Sequence, residues 1–269
     1  MIDAKITELK LPYPNLEDRL IRVYVPAHED GETFPVIYMT DGQNLFEEET
    51  STFGSWLTRE AVEAERKSSG QGAIIVGIHN DGAPWQRANE LCPRSIGEIV
   101  VPDEIPKEAR SMIAQEGEVF AEFVLSTVKP VIEDRFPVKT GRENTAFCGS
   151  SSGGLESFYM ALNYPEVFCA AGVFSPVYYI YSPADLQSWI LSSIKEKMPY
   201  LYFYAGGGDE LEKVLREGME FVYDFLVQCY PSEQLNAVIL PENKHNEEAW
   251  REIFKDFLHT FCLKRFDYI

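Results

Sequence analysis

The run Gly149-Ser150-Ser151-Ser152-Gly153-Gly154 contains Gly-x-Ser-x-Gly centred on Ser151. Glycine two residues to each side of a serine permits a sharp strand-to-helix turn in which bulkier flanks would collide. Such a turn holds the hydroxyl out beyond the sheet as a nucleophile. Ser150 and Ser152 lack that double flank, so Ser151 is the candidate. The bland alternative is a Gly/Ser turn capping a helix. An apolar strand before it (Ala146-Phe147-Cys148) and a helical pattern after it (Leu155, Phe158, Tyr159, Leu162) favour the elbow.

A serine hydroxyl attacks only when a base takes its proton, and the base needs an acid to fix its tautomer. On such elbows the chain order is nucleophile, acid, histidine. Of the four histidines only His245 and His259 follow Ser151. His245 comes directly after the last expected strand, on the side of the sheet that carries the elbow, and is the candidate base. His259 falls late in the final helix, where packing or surface exposure explains it. His79, at the end of the fourth strand, is the reserve, and His28 lies in a polar turn. For the acid, Ala205-Gly206-Gly207-Gly208-Asp209-Glu210 follows the seventh strand and presents Asp209 as the candidate, with Glu210 as substitute. Asp209 and Glu212 also spell a capping box for the next helix, and one carboxylate cannot fully serve both a helix start and an imidazole. Negative charge on the substrate oxygen needs backbone donors. The N–H of Ser152 is one candidate. The second comes from the loop Asp41-Gly42-Gln43-Asn44 after the third strand, with Gln43 N–H as the choice and an ordinary Asp-Gly turn as the alternative.

These residues must be positioned by something, and the rest of the sequence says what. Short apolar runs rich in β-branched and aromatic residues recur, most clearly at 19–26 (RLIRVYVP), 34–41 (FPVIYMTD), 73–80 (AIIVGIHN), 144–151 (NTAFCGSS), 169–176 (CAAGVFSP), 201–207 (LYFYAGG) and 236–242 (NAVILPE). Several are apolar on both faces, as strands covered by helices on each side should be. Helix-like segments fall at about 56–67, 107–136 with a break, 152–163, 183–197, 210–229 and 246–262. This alternation predicts an α/β fold of about eight strands, mostly parallel, in one domain over 1–269, whose first two strands, with a short connection and no helix between them, form an antiparallel start. Ligands bind such sheets beyond the carboxyl ends of the strands, where the candidate residues fall.

Composition narrows the function. Across 269 residues, 24 Lys+Arg face 43 Asp+Glu, a formal charge of −19. That acid excess disfavours nucleic acid and anionic membrane surfaces as partners, because both need clustered cations. The N-terminus shows no basic region followed by an apolar one, and no apolar run approaches a bilayer span. Five cysteines (Cys92, Cys148, Cys169, Cys229, Cys262) without a close pair read as reduced thiols, hence a cytoplasmic protein. No P-loop and no His-Glu-x-x-His motif occurs, which leaves ATPase and zincin readings without support.

Taken together, 36–46 (VIYMTDGQNLF), 73–80 with Arg87 and Glu90 after it, 130–136 (PVIEDRF), 144–154 (NTAFCGSSSGG) and 245–250 (HNEEAW) resemble the esterase family of α/β-hydrolases. That family holds esterase D, enterochelin-type trilactone esterases, feruloyl and acetyl-xylan esterases and the mycobacterial mycolyltransferases. The resemblance spans about 36 to 260. It implies an α/β-hydrolase fold with Ser151 as nucleophile, His245 as base and Gln43 as second oxyanion donor. Asp209 falls where members carry the acid, Asp in some and Glu in others, while some trilactone esterases work with a Ser–His dyad. Ser152 departs from the Met that relatives often carry, making that wall of the pocket smaller and more polar. Arg87 and Glu90 match a recurring pair with a structural or pocket-shaping role.

The expected activity is a serine esterase that hydrolyses a small-molecule carboxylic ester, of short acyl chain and carbohydrate- or siderophore-linked, without metal or cofactor. An imidazole base must start neutral, so activity should fall as pH drops through roughly 6–7. An acyltransferase on the same triad is the nearest alternative and a non-catalytic binding domain on this scaffold a remote one. Pocket shape is set by loops 47–56, 81–106 and 176–190. Trp56, Trp85, Tyr178, Tyr179 and Tyr181 are expected to serve packing more than a ligand cleft. Oligomeric state is not legible.

Overall fold

The computed structural model describes residues 1–49, 51, 54–83, 85–100 and 114–264. Eight strands form one sheet: β1 (Lys5–Leu11), β2 (Arg19–Val25), β3 (Val36–Met39), β4 (Ile74–Ile78), β5 (Thr145–Ser150), β6 (Ala170–Phe174), β7 (Tyr200–Ala205) and β8 (Leu235–Ile239). Their order across the sheet is β1-β2-β4-β3-β5-β6-β7-β8. The helices are α1 (Thr58–Ser69), α2 (Gln86–Glu90), α3 (Gly117–Phe123), α4 (Lys129–Arg135), α5 (Ser152–Asn163), α6 (Pro183–Ser193), α7 (Glu210–Leu226) and α8 (Glu247–Leu263).

Every residue of β3, β4, β5, β6 and β7 is buried. This follows from their sequences, which are apolar on both faces and therefore need cover on both. Phe147, Phe158, Phe203 and Trp189 belong to one core layer. Trp56, Phe174, Trp250, Phe254 and Phe257 belong to the other. The edge strand β1 reads differently: Lys5, Glu8 and Lys10 are exposed along it, and charge on an open edge discourages pairing with other chains.

β2 is antiparallel to β1 and to β4, and β4 lies between β2 and β3. From β4 through β3 to β8 every pairing is parallel. The expected antiparallel start is the β1–β2 pair, of which β1 carries charges that break the apolar pattern. The helix expected over 107–136 begins, among the described residues, at Gly117; positions 107–113 lie outside them. Between α3 and α4 one wider π turn runs through Val124–Val128, where the Lys129 N–H bonds the Val124 carbonyl. Pro130 follows directly, and without an N–H it cannot hold the α register there.

Candidate active site

The elbow sits where β5 meets α5. Ser151 has φ 60 and ψ −124, a conformation that non-glycine residues rarely hold. Neighbours enforce it: the Ser151 N–H bonds the Phe174 carbonyl of β6 at 2.9 Å, while its own carbonyl takes N–H bonds from Gly154 and Leu155. A Cβ on Gly149 would meet the Thr40 hydroxyl at 2.5 Å, and one on Gly153 would collide with the same hydroxyl. The two flanking glycines are therefore a packing requirement of the strand beside them. Ser152 opens α5, so its N–H is one of the helix's first donors without an intrahelical acceptor.

Facing the elbow, the loop after β8 carries His245. Ser151, His245 and Gln43 line one cleft of about 410 Å³, together with Asp41, Asn44, Asn80, Arg87, Ser150, Asn246, Glu247 and Trp250. The His245 loop is seated on the triglycine segment, with Gly207 and Gly208 N–H groups both bonding the Asn243 carbonyl, at 3.0 and 2.7 Å. A Cβ on Gly206 would run into that carbonyl and one on Gly208 into the Glu242 carbonyl. The glycines thus admit the histidine loop instead of merely freeing a turn. Asn243 also donates from its side chain to the Tyr204 hydroxyl at 3.0 Å.

The carboxylate at the imidazole is not Asp209. Glu212 Oε2 lies 2.6 Å from His245 Nδ1, and the Glu212 side chain has no solvent exposure. Asp209 takes the helix start: its Oδ1 accepts the Glu212 N–H at 2.8 Å and its Oδ2 the His245 backbone N–H at 2.8 Å. Those two N–H donors hold the Asp209 carboxyl below its ordinary range. Glu210, the substitute, is exposed and bonded to Lys213. The physical reason is the first-turn geometry of α7. Asp209 is the N-cap, facing the backbone, whereas the third helical position points inward beneath the imidazole. In a capping box that Glu would reach back to the N-cap N–H. Here it turns to His245, and the signal available in sequence was the Asp209/Glu212 pair itself.

The loop after β3 is built around Asp41. This residue is left-handed (φ 55), and its carbonyl accepts the Asn44 N–H at 2.8 Å, closing a tight turn over Gly42–Asn44 that carries Gln43. Arg87 makes a two-pronged bond to the Asp41 carboxylate, 2.5 Å from Nε and 2.8 Å from Nη2, and Asn80 adds a third at 2.8 Å. Burial works to raise the Asp41 pKa, but the Arg87 charge and these bonds outweigh it and hold the carboxyl below its usual value. Asn44 donates to Glu247 Oε1 at 2.9 Å, tying this loop to the first turn of α8. Burial pushes the Glu247 carboxyl up, with the nearby Asp41 charge adding to it.

Arg87 and Glu90 do not pair with each other. Glu90 instead receives both guanidinium arms of Arg19, at 2.7 and 2.6 Å, in a buried bridge. His79 packs behind Gly42, where burial and the Arg22 and Arg19 charges lower its pKa to about 4. His259 lies against Glu65 of α1 at 3.0 Å, and His28 against the Pro26 carbonyl. Trp56, Tyr178 and Tyr181 are buried in the core, while Trp85 and Tyr179 are exposed. Of the loops expected to shape the pocket, positions 50, 52–53, 84 and 101–106 lie outside the described residues. All five cysteines are free. Among the described residues no group of three His, Cys, Asp or Glu is placed to hold a metal ion.

A serine on a strained elbow and an imidazole backed by a buried carboxylate, beyond one rim of a mostly parallel sheet, belong to the α/β-hydrolase class. Comparison with known proteins agrees. Residues 16–252 match the family described as "Putative esterase", and the chain belongs to that family. It is 32% identical over 176 residues to the siderophore triacetylfusarinine C esterase of Aspergillus fumigatus, a stretch covering 59% of this chain and 54% of that protein. In three dimensions it resembles the siderophore hydrolase EstA from Aspergillus nidulans (TM-score 0.73, 17% identity, 95% of this chain and 94% of that one). It also resembles an IroE-like serine hydrolase from Shewanella oneidensis (TM-score 0.70, 18% identity, 95% of this chain and 79% of that one). The fold is that of the α/β-hydrolases, and the family supports hydrolysis of ester bonds.

Proposed function

We propose that this protein is a serine esterase working through an acyl-enzyme on Ser151. The observation that carries the reading is the 2.6 Å contact between the buried Glu212 and His245, which lines the same cleft as the strained Ser151. Ser151 Oγ attacks the ester carbonyl as His245 takes its proton. Glu212 fixes the imidazole with Nδ1–H toward the carboxylate and stabilises the imidazolium that forms. The N–H groups of Gln43 and Ser152 receive the negative charge on the substrate oxygen, where one lost donor costs about 2.7–4 kcal/mol of barrier. His245 then protonates the departing alcohol, and a water deprotonated by His245 releases the acid. Asp209 is assigned to seating the histidine loop, not to the reacting proton.

The cleft presents hydrogen-bonding groups from Asn44, Asn80, Gln43, Arg87 and Glu247 beside apolar surface that includes Trp250. Such a mixed lining suits an ester that joins hydroxyl or amide groups to a short acyl chain, and kinship with siderophore esterases points the same way. We therefore assign the substrate class as a short-acyl or lactone ester of a siderophore- or carbohydrate-like molecule.

The test is an ester panel (acetyl, butyryl, feruloyl and trilactone substrates) with wild type and Ser151→Ala, together with labelling by a fluorophosphonate. Wild type should hydrolyse p-nitrophenyl acetate and take up the label at Ser151, and S151A should lose at least about 10³-fold in kcat. Full activity in S151A, or no label and no hydrolysis in wild type, would overturn the reading. Product analysis with an added alcohol acceptor decides the acyltransferase alternative: transfer product in excess of free acid would replace hydrolysis with transfer.

A further inference from the structure

The acid that backs the imidazole is itself held from behind. Glu212 Oε1 accepts two bonds, one from the Gly206 N–H at 2.7 Å and one from the Ser175 hydroxyl. The Ser175 oxygen in turn accepts the indole N–H of Trp250 at 3.0 Å. Trp250 closes a ring, because its indole stands edge-on to the His245 imidazole, with centroids 4.9 Å apart and planes at 89°. The connected path is therefore Trp250 Nε1–H to Ser175 Oγ–H to Glu212 to His245 Nδ1, and back through the ring contact. Ser175, Glu212 and Trp250 come from three separated stretches and are all buried.

Ser175 occupies its place at a cost. Its φ is +44, in the left-handed region, and Pro176 follows it, which pushes a residue toward extended backbone. Its N–H is fixed to the Tyr204 carbonyl at 2.7 Å, so β7 holds the strain in place. A glycine would adopt this backbone with less strain. A serine is explained by the hydroxyl, which links a donor that cannot accept (the indole) to an acceptor that, as carboxylate, cannot donate.

We propose that Ser175 and Trp250 are positioning residues that hold Glu212 in the one orientation serving His245, a role that rests on the assignment of Ser151, His245 and Glu212 above. A carboxylate with one oxygen satisfied by Gly206 and Ser175 keeps the other aimed at Nδ1. Removing the hydroxyl lets the carboxylate rotate away and leaves the indole N–H without its acceptor. The effect belongs to the proton-transfer step, so it should appear in kcat and leave KM nearly unchanged.

The experiment compares S175A, S175G, W250F and S175A/W250F, with S151A and E212Q as references, by kcat and KM for p-nitrophenyl acetate and by thermal melting. S175G is the informative variant, because it relieves the backbone strain while removing the hydroxyl. Both S175A and S175G should lose about 10- to 50-fold in kcat with KM within about twofold. W250F keeps an aromatic ring beside His245 but has no N–H. It should lose about 3- to 10-fold in the wild-type background and less than about twofold in the S175A background, since its effect passes through the hydroxyl. A fully active S175G, or independent multiplication of the S175A and W250F losses, would overturn the proposal. If S151A and E212Q are inactive while S175G is not, only this positioning role falls. If S151A keeps turnover, the assignment of the site falls first. Should S175A fail to fold, S175G and W250F carry the same decision.

Discussion

Asp209 and Glu212 stand three residues apart and divide two tasks that one carboxylate would do badly. Asp209 caps α7 and pins the His245 backbone, while Glu212, with no exposure, meets the ring. Their variants should therefore separate. E212Q keeps the volume but removes the charge that stabilises the imidazolium, and should lose about 10²–10⁴-fold in kcat with little change in melting temperature. D209A removes a helix cap and should cost about 1–2 kcal/mol of stability, read by denaturant midpoint, with a kcat loss under about tenfold. The reverse pattern, with D209A inactive and E212Q active, would return the acid role to Asp209.

At the scale of elements, the Asp41–Arg87 bridge joins the loop after β3 to α2. Arg87 Nη2 also reaches the Ser150 carbonyl at 3.4 Å, so one guanidinium braces the loop after β3 and the end of the elbow strand together. R87A would leave Asp41 buried without its cation. Removing one partner of a buried pair costs about 3–5 kcal/mol, and because the Arg87 side chain is 32% exposed the low end is expected. The pH dependence has a definite sign. The folded pKa of Asp41 is depressed, so its contribution is present above the unfolded value and is lost as pH falls through the folded one. In R87A burial is opposed only by hydrogen bonds such as that from Asn80, so the folded pKa of Asp41 rises relative to wild type and its ionised form stabilises the variant less. The stability gap between wild type and R87A should be widest near neutrality and close on acidification, in denaturant titrations at a series of pH values. A gap independent of pH would show that the bridge contributes nothing through charge.

The whole molecule carries 43 acidic against 24 basic side chains. A charge of −19 sets a field that favours encounter with cationic or neutral substrates and slows anionic ones. For a matched pair of esters, one bearing an ammonium and one a carboxylate, kcat/KM should fall with added salt for the first and rise for the second. Parallel salt responses would mean that the cleft's own charges, Arg87 and Glu247 among them, govern approach instead of the surface. No described helix is long and apolar enough to cross a membrane.

Legible in the chain were the strand-helix alternation, a sheet of about eight strands and the elbow. Each of these is written in local patterns: both-face apolar runs, helical spacing and a glycine on either side of one serine. It also determined which loops would meet, because the carboxyl ends of parallel strands share one rim. Tertiary structure alone decided the partners. Gly-Gly-Gly-Asp-Glu-Leu-Glu reads the same whether Asp209 or Glu212 faces the imidazole, since the choice depends on how the first turn of α7 is rolled beneath a loop 33 residues further on. Arg87 and Glu90 look like a pair three residues apart, yet each finds a partner more than forty residues away. The link from Trp250 through Ser175 to Glu212 has no trace in local pattern. A hydrogen bond is fixed by positions in space, and spacing along the chain constrains those positions only within a single element.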